Sequence, residues 1–406
     1  MADRGGSRIL TINSGSSSLK FALFEMGDAE TLRLVGKLEG IGLGGSGRFA
    51  ARDGEGTSLV DESSQLDDHE AALSRLFAWL KDRPEHGELD AVGHRVVHGG
   101  SRHARPERIT PEVMASLHEL VPLAPDHLPQ EIRAIEAVGR AYPDLPQVAC
   151  FDTAFHRTMP AVAQAFGLPG DLAREGVFRY GFHGLSYEYI IGELRKQAGP
   201  AAAGGRVIVA HLGNGASLAA ILGGKSVDTT MGFTPAGGLV MSTRSGDLDP
   251  GILIYLLRHR GLDAEELDQV VNKRAGLLGV SGTSADMREL LQREDQDPHA
   301  ADAVALFCRQ ARKFVGALAA VLGGLDTLVF TAGIGENAPP VRGRICEGLE
   351  FLGVRVDSER NRRNDAVISP DGAPVTVRVM GTDEERMIAR HTRDVVRELG
   401  PSGSEQ

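Results

Sequence analysis

Residues 12–21 read INSGSSSLKF: an apolar approach, a glycine, three consecutive serines, and a lysine that leads into a second apolar run. The flanks RILTI and KFALFEM are apolar and partly β-branched or aromatic, so the stretch reads as a hairpin and not as a linker, whose flanks would be polar. Small residues let backbone N–H groups approach an anion, and Ser16, Ser18 and Lys20 would add donors. Taken alone, a tight turn with a solvent-facing lysine is the plainer reading. A second copy changes it. HLGNGASLAAIL at 211–222 lines up with INSGSSSLKFAL at 12–23, pairing Ser18 with Ser217 and Leu19 with Leu218, and the shared strand–turn–strand plan implies a duplicated domain. Two such hairpins, one per domain, would grip the phosphates of one nucleotide held between the domains. A third glycine-rich segment, TAGIGEN at 331–337, would hold its nucleoside.

Composition agrees with this organisation. A chain of 406 residues exceeds what one core usually serves, and 42% hydrophobic with 24% charged residues is the profile of a globular protein. The net charge of −11 comes without any long Lys/Arg run, which argues against nucleic acid and anionic membrane as partners. Cys150, Cys308 and Cys346 are odd in number and widely spaced, which fits a reducing compartment and no disulfide framework. MADRGGSRIL lacks the apolar core of a signal peptide, and FVGALAAVLGGLDTLVF is broken at Gly323, Gly324 and Asp326. The expectation is a cytoplasmic protein with no membrane span.

Three further apolar runs stop at polar residues: AVGHRVVHGG near 91–100, PQVACFDTAFH near 146–156 and DTLVFTAGIGEN near 326–337. Ligands of α/β proteins gather beyond such strand ends, so Arg95, Asp152, Asn214 and GIGEN are expected to converge. Between the strands, HEAALSRLFAWLKD places Ala72, Leu73, Leu76, Phe77 and Leu80 on one helix face, and DPGILIYLLRH opens with Asp249 as N-cap and Pro250 at the first position. DAVALFCRQARKFVGALAAVLGG is a long helix, and the last helix opens on a capping box from Thr382 to Glu385 and runs through Ile388, Val395 and Leu399. The ends MADRGGS and PSGSEQ read as disordered. Two nucleotide motifs are rejected: GLGGSG at 42–47 is followed by RFAARDGEG where a dinucleotide fold needs a helix, and GGKS at 223–226 has Ala219 where a P-loop needs glycine.

The motifs NSGSSSLK, GHRVVHGG, FDTAFH, YGFHGLS, HLGNGAS, DTTMGFTPAGGLVMSTRSGDLDP, SGTSADMR, TAGIGEN and GTDEE follow one another in the order of the acetate kinase family, and the chain resembles that family over nearly its whole length. The resemblance implies the superfamily of acetate and sugar kinases, chaperones and actin: an α/β fold of two duplicated βββαβαβα domains, actin-like and ribonuclease H-like, around a nucleotide cleft. It implies a first domain over 1–155 completed by a C-terminal helix 385–406, a second over 156–384, and a homodimer. The implied reaction is reversible, magnesium-dependent transfer from ATP to acetate, giving ADP and acetyl phosphate, with manganese as a substitute metal. Transfer between two anions needs positioning and charge neutralisation rather than covalent help.

By the same resemblance, Arg95 and Arg244 match two active-site arginines that hold the carboxylate and the moving phosphoryl group, and planar guanidinium suits both. Arg95 also stands inside an apolar strand, where a charge requires an anionic partner. His183 matches a hydrogen-bond donor to the transition state. Asp152 matches an active-site aspartate; since acetate is already ionised at neutral pH, it orders metal-bound water or orients a neighbouring group instead of acting as a base. Asn13 and Glu384 match magnesium-linked positions, which suffices for an ion that keeps water and phosphate oxygens. For ATP the resemblance implies Lys20, then His211, Leu212, Gly213, Asn214 and Gly215, then Asp286, Met287 and Arg288, and finally Gly333, Ile334, Gly335, Glu336 and Asn337. Val97, Phe182 and Pro235 match the apolar acyl pocket, whereas His94 and His98 read as structural.

One departure bears on the substrate. LAPDHLP at 123–129 puts Asp126 where the family has leucine near the acyl group, so either Asp126 turns outward or acyl specificity has shifted towards propionate or another short-chain acid. A different class, an actin- or chaperone-like ATPase, shares the fold but needs a positioned water in place of a carboxylate clamp. A sugar kinase would want an aspartate base against a neutral hydroxyl, which the paired arginines disfavour.

Overall fold

The computed structural model describes residues 6–83 and 88–398, and in it the opening stretch is a hairpin. Strands β1 (Ser7–Ser14) and β2 (Ser18–Met26) pair antiparallel, with Asn13 opposite Lys20 and Ser14 opposite Leu19. Ile9, Leu10, Thr11 and Ile12 are all buried, as a strand covered on both faces requires. Strands β3 (Glu30–Glu39), β4 (Ser46–Asp53) and β5 (Ser58–Gln65) continue the antiparallel meander on one side. On the other side β6 (Ala91–Val96) and β8 (Gln147–Phe151) join β1 in parallel, with the short β7 (Glu107–Arg108) at the edge. The sheet order is β5-β4-β3-β2-β1-β6-β8-β7.

The second sheet repeats the plan. Strands β9 (Arg206–Leu212), β10 (Ala216–Leu222) and β11 (Lys225–Thr229) form an antiparallel meander, and β12 (Thr327–Thr331) and β13 (Thr376–Val379) add in parallel, giving β11-β10-β9-β12-β13. Both sheets therefore hold the strand order 3-2-1-4-5, with two hairpin strands followed by two parallel crossovers. This common topology is the duplication. The serine–leucine match read from the letters is out of step with it: Leu19 is opposite Ser14, whereas Leu218 is opposite Ala210, because the first turn leaves four residues unpaired and the second three. GLGGSG forms the turn from β3 into the start of β4, and GGKS the turn from β10 into the start of β11.

Contacts divide the chain into two compact units, Met1–Ala154 with Asp383–Gln406, and Phe155–Thr382. The last helix, Glu384–Glu398, belongs to the first unit and packs on β1, β2, β6 and β8. Gly93 on β6 makes this possible, since a Cβ there would stand 2.2 Å from Thr392 Oγ1 and 2.5 Å from an Ile388 methyl. Arg386, Arg390 and Arg393 on its outer side gather on Glu30. The cap of this helix is Asp383, whose Oδ1 accepts from Arg386 N–H at 2.8 Å; the Thr382 hydroxyl expected there is taken by Ser186 instead.

Helix His69–Lys81 buries Ala72, Leu73 and Leu76 as expected, and Trp79 is buried with them, whereas Phe77 and Leu80 are only partly buried. The indole ring meets Phe49 edge-on at 5.4 Å, an arrangement that letter periodicity does not encode. Asp249 caps helix Pro250–His259 through Gly251 N–H as read, yet none of that helix's side chains is buried. Ser7, counted with a disordered start, is the first residue of β1. Expectations for residues 1–5 and 399–406, Leu399 included, lie outside the described residues.

Candidate active site

In the first unit the parallel strands β1, β6 and β8 end along one edge, and charged side chains leave from it. Arg95, next to last in β6, donates from Nε (3.1 Å) and a terminal nitrogen (2.5 Å) to Asp152 Oδ2, just beyond β8. Asp152 Oδ1 is buried with no hydrogen-bond partner. Glu131, from helix Leu128–Ala141, completes the cluster: one carboxylate oxygen accepts from Val97 N–H at 3.0 Å and the other lies 3.5 Å from Arg95. Sequence reading missed Glu131. Its signal was a carboxylate on the apolar face of a helix beside Leu128, Ile132 and Ile135, the same argument that singled out Arg95.

Burial pushes the Glu131 carboxyl up to about 7, against the pull of Arg95 and the Val97 N–H. Desolvation, together with the Asp152 charge, pushes Glu384 up to about 7 as well, and burial governs both more than the nearby Arg95 does. A carboxyl whose folded pKa lies above its unfolded one stabilises the fold while protonated. For Glu131 that contribution is complete below its ordinary 4.5 and is lost as pH rises through about 7. Glu131→Gln, which keeps the shape and an acceptor, should therefore show a smaller fall in Tm between about pH 5 and about pH 8 than the parent protein. Parallel thermal melts check this, and an equal fall in both proteins would contradict it.

Asn13 is half-buried near the end of β1 and Glu384 half-buried at the start of the last helix. Ser16 is exposed in the turn, whose Gly15 N–H donates to Ser18 C=O at 2.8 Å and whose Gly15 C=O lies 2.8 Å from His69 Nε2. Lys20 is exposed and lines a groove of about 510 Å³ over β2–β5 with Lys37, Arg48 and Arg52. Val97 is buried in the first unit, and Asp126 is half-buried in the turn before helix Leu128–Ala141. His94 is buried against Gln147, and burial lowers it to about 4; His98 Nδ1 accepts from Gly100 N–H, so both histidines have structural partners.

In the second unit His183 precedes helix Gly184–Gly204 in the left-handed region, φ 60° and ψ 25°, an uncommon conformation for a residue with a side chain. Its Nδ1 is 2.8 Å from Ser217 Oγ on β10, which is in turn 2.5 Å from the Tyr187 hydroxyl. The ring stacks on His211 at 4.1 Å, and His211 Nδ1 meets Ser186 at 2.9 Å. Ser217 and His211 thus set the orientation of the ring, and Nε2 faces the β9–β10 turn. A Cβ on Gly215 would stand 3.3 Å from His183 Nε2 and 3.7 Å from an Arg244 nitrogen, so turn, imidazole and guanidinium close on one point.

The Arg244 loop is braced by its neighbours. Ser242 N–H donates to Asn214 C=O at 3.2 Å, Ser245 N–H to Val271 C=O at 2.9 Å, and Thr243 Oγ1 to Asn272 C=O at 2.9 Å, the last two within a π-helical turn Gln269–Lys273. Such turns occur often at functional sites. Arg244 itself reaches Pro235 C=O at 3.3 Å. Phe182 is buried, its carbonyl 2.9 Å from His156 Nε2.

Beside this point lies a cavity of about 370 Å³ lined by Gly213, Asn214, Asp286, Met287, Arg288, Gly333, Ile334, Asn337 and Ala338. Eight of those nine are residues that the sequence singled out, from three separate stretches, and the volume suits a small ligand. Leu212 and Gly335 are buried in the framework, and His211 serves as the platform for His183. Asp286 caps its own helix and pairs with Arg288 at 2.7 Å, which holds its carboxyl below the ordinary value. Glu336 turns back on its loop, accepting from Ala332 N–H at 2.8 Å and Thr382 N–H at 3.3 Å. A cavity of about 640 Å³ in the first unit, lined chiefly by Leu23, Phe77, Leu80, Leu89 and Tyr142, contains none of the predicted site residues.

Known proteins can now be set beside this arrangement. The model of the acetokinase family matches residues 8–390. An acetate kinase of Rhodopseudomonas palustris is 48% identical over 388 residues, covering 94% of this chain and 97% of that protein. Among solved structures, the acetate kinase of Porphyromonas gingivalis superposes with a TM-score of 0.86 at 40% identity, and a propionate kinase of Francisella tularensis with 0.90 at 36%. Each superposition covers 96% of this chain and all of the other. With nearly the whole length matched by the family model and by relatives well above 30% identity, this chain belongs to the acetokinase family.

Proposed function

We propose that this protein transfers the γ-phosphoryl group of ATP to acetate, reversibly, giving acetyl phosphate and ADP. An acetate oxygen forms the new bond to γ-phosphorus as the bond from phosphorus to the β-phosphate oxygen breaks; ADP leaves, and no proton need be moved to activate acetate. The observation that carries the reading is the point where His183 Nε2, Arg244 and the β9–β10 turn close together, a set of donors suited to a group carrying negative charge. Arg244 and His183 would stabilise the moving phosphoryl group, and Arg95 the substrate carboxylate, with Val97, Phe182 and Pro235 near its methyl group. The nucleoside would occupy the 370 Å³ cavity, with the phosphates towards Lys20, Ser16, Ser18 and the β9–β10 turn.

Magnesium, or manganese in its place, would neutralise phosphate charge when bound. Asn13 and Glu384 would hold it, and the buried Asp152 Oδ1 without a hydrogen-bond partner fits a role in ordering its water. Among the described residues no three His, Cys, Asp or Glu side chains are grouped as a metal site, so most ligands would be water and phosphate oxygens. Acetate-dependent formation of acetyl phosphate tests the function, and ADP release indifferent to acetate would favour an ATPase instead. Propionate is the near alternative, supported by the likeness to a propionate kinase. Comparison of kcat/KM for acetate, propionate and butyrate ranks the acids, and a butyrate preference would overturn the acetate assignment.

A homodimer completes the proposal. Helix Pro250–His259 leaves Ile252, Ile254, Tyr255 and Leu257 between 42% and 55% exposed, an apolar surface suited to a second copy of the chain. Ile254→Glu should shift the sedimenting species from dimer to monomer; an unchanged dimer would move the interface elsewhere.

A further inference from the structure

Among the described residues, Arg342 is the largest side chain that is fully buried. It lies in helix Pro339–Cys346, just after the Ala332–Asn337 segment that forms one wall of the 370 Å³ cavity. All five of its N–H groups are used. One terminal nitrogen donates to Gly335 C=O and Glu336 C=O, both at 2.9 Å; the other donates to Asn361 C=O at 2.8 Å and Asn364 Oδ1 at 2.6 Å; Nε donates to Asn361 Oδ1 at 2.8 Å. Every acceptor is a neutral oxygen. A buried charge without a counter-ion is costly, so the fold keeps it only where it supplies geometry that an apolar side chain cannot.

The geometry in question is that of the cavity wall. The segment Ala332–Asn337 is a single short helical stretch that begins at Ala332 with φ 64°, strained for a residue with a side chain. Too short to hold itself, it is fixed at both ends by charge that matches its dipole. The Glu336 carboxylate takes the N–H at its start, and the Arg342 guanidinium takes carbonyls near its end. Asn361 extends the clamp, donating to Pro339 C=O at 2.9 Å and so tying helix Ser358–Arg362 to the same point.

We propose that Arg342 is a positioning residue for the nucleotide: from behind the loop it sets the wall against which the nucleoside rests. The inference rests on reading this cavity as the nucleoside seat. Lysine cannot replace it, since three donors on a flexible stem do not cover all five acceptors.

The test is calorimetric titration with ADP, together with steady-state kinetics, on the full-length protein and three variants. Arg342→Lys should raise the Kd for ADP and the KM for ATP about tenfold or more, while kcat at saturating ATP and the KM for acetate stay within about threefold. Should that variant fail to fold, Asn364→Gly serves: it tolerates the φ of 57° found there, removes one acceptor, and should shift the Kd for ADP the same way by about threefold. An unchanged Kd for ADP in the folded variant, or a loss confined to kcat, would overturn the role of Arg342. Gly333→Phe separates that failure from failure of the seat. Gly333 lines the cavity and has open space where a Cβ would stand, so a phenyl ring there should block ADP. Loss of ADP binding in Gly333→Phe alone leaves the seat and removes Arg342. No effect in either variant removes both.

Discussion

Arg244→Ala is expected to lower kcat for acetyl phosphate formation by about a thousandfold, with the KM for ATP and for acetate changed far less. Arg244 lies on a loop tied to Asn214 and Val271 through its backbone and to Asn272 through the Thr243 hydroxyl, bonds that do not involve its guanidinium. Removing the side chain should therefore spare the loop. What is lost is a charged donor held beside His183 Nε2 and the β9–β10 turn, where negative charge would gather during transfer. Arg244→Lys should recover little, because an ammonium on a flexible stem does not reproduce a fixed pair of donors. Initial rates over a grid of ATP and acetate concentrations check the prediction. A rise in KM with kcat preserved would show that Arg244 binds the ground state only.

Asp152→Asn should be nearly as damaging, and in two ways at once. Asp152 Oδ2 takes both hydrogen bonds from Arg95, and breaking a buried pair by removing one charge typically costs about 3 kcal/mol or more. The first unit should melt earlier, and the freed Arg95 would turn to the remaining carboxylate, Glu131, which is already 3.5 Å away. Activity should fall about a hundredfold or more even below the new melting temperature, since the guanidinium proposed to hold the substrate carboxylate is then misdirected. Calorimetry and kinetics on the same preparation separate the two effects; a full loss of stability with activity intact at low temperature would confine Asp152 to a structural role.

Much of this was legible in the letters, for identifiable reasons. Hairpin flanks, glycine turns and strands that stop at polar residues are local features, and they marked both sheets and the ends from which Arg95, Asp152 and the cavity residues leave. An arginine inside an apolar strand demanded an anion, and Asp152, 57 residues away, is hydrogen-bonded to it. Glu131 escaped because its helix face could be read but its partner could not. Arg342 escaped for the opposite reason: in PPVRGR it looks like a surface arginine, and only tertiary packing brings Asn361 and Asn364 to it. The cap at Asp383 instead of Thr382 turned on Ser186, 196 residues distant from that threonine, and the hairpin register turned on a one-residue difference in turn length.

The central claim is that phosphoryl transfer goes to a carboxylate and not to water. It is tested most directly by measuring ADP and acyl phosphate in one reaction mixture, the latter trapped with hydroxylamine, with acetate present and with acetate omitted. The account predicts hydroxamate equal in amount to ADP when acetate is present, and almost no ADP when it is absent. ADP formed at the same rate in both, with no hydroxamate, would contradict it.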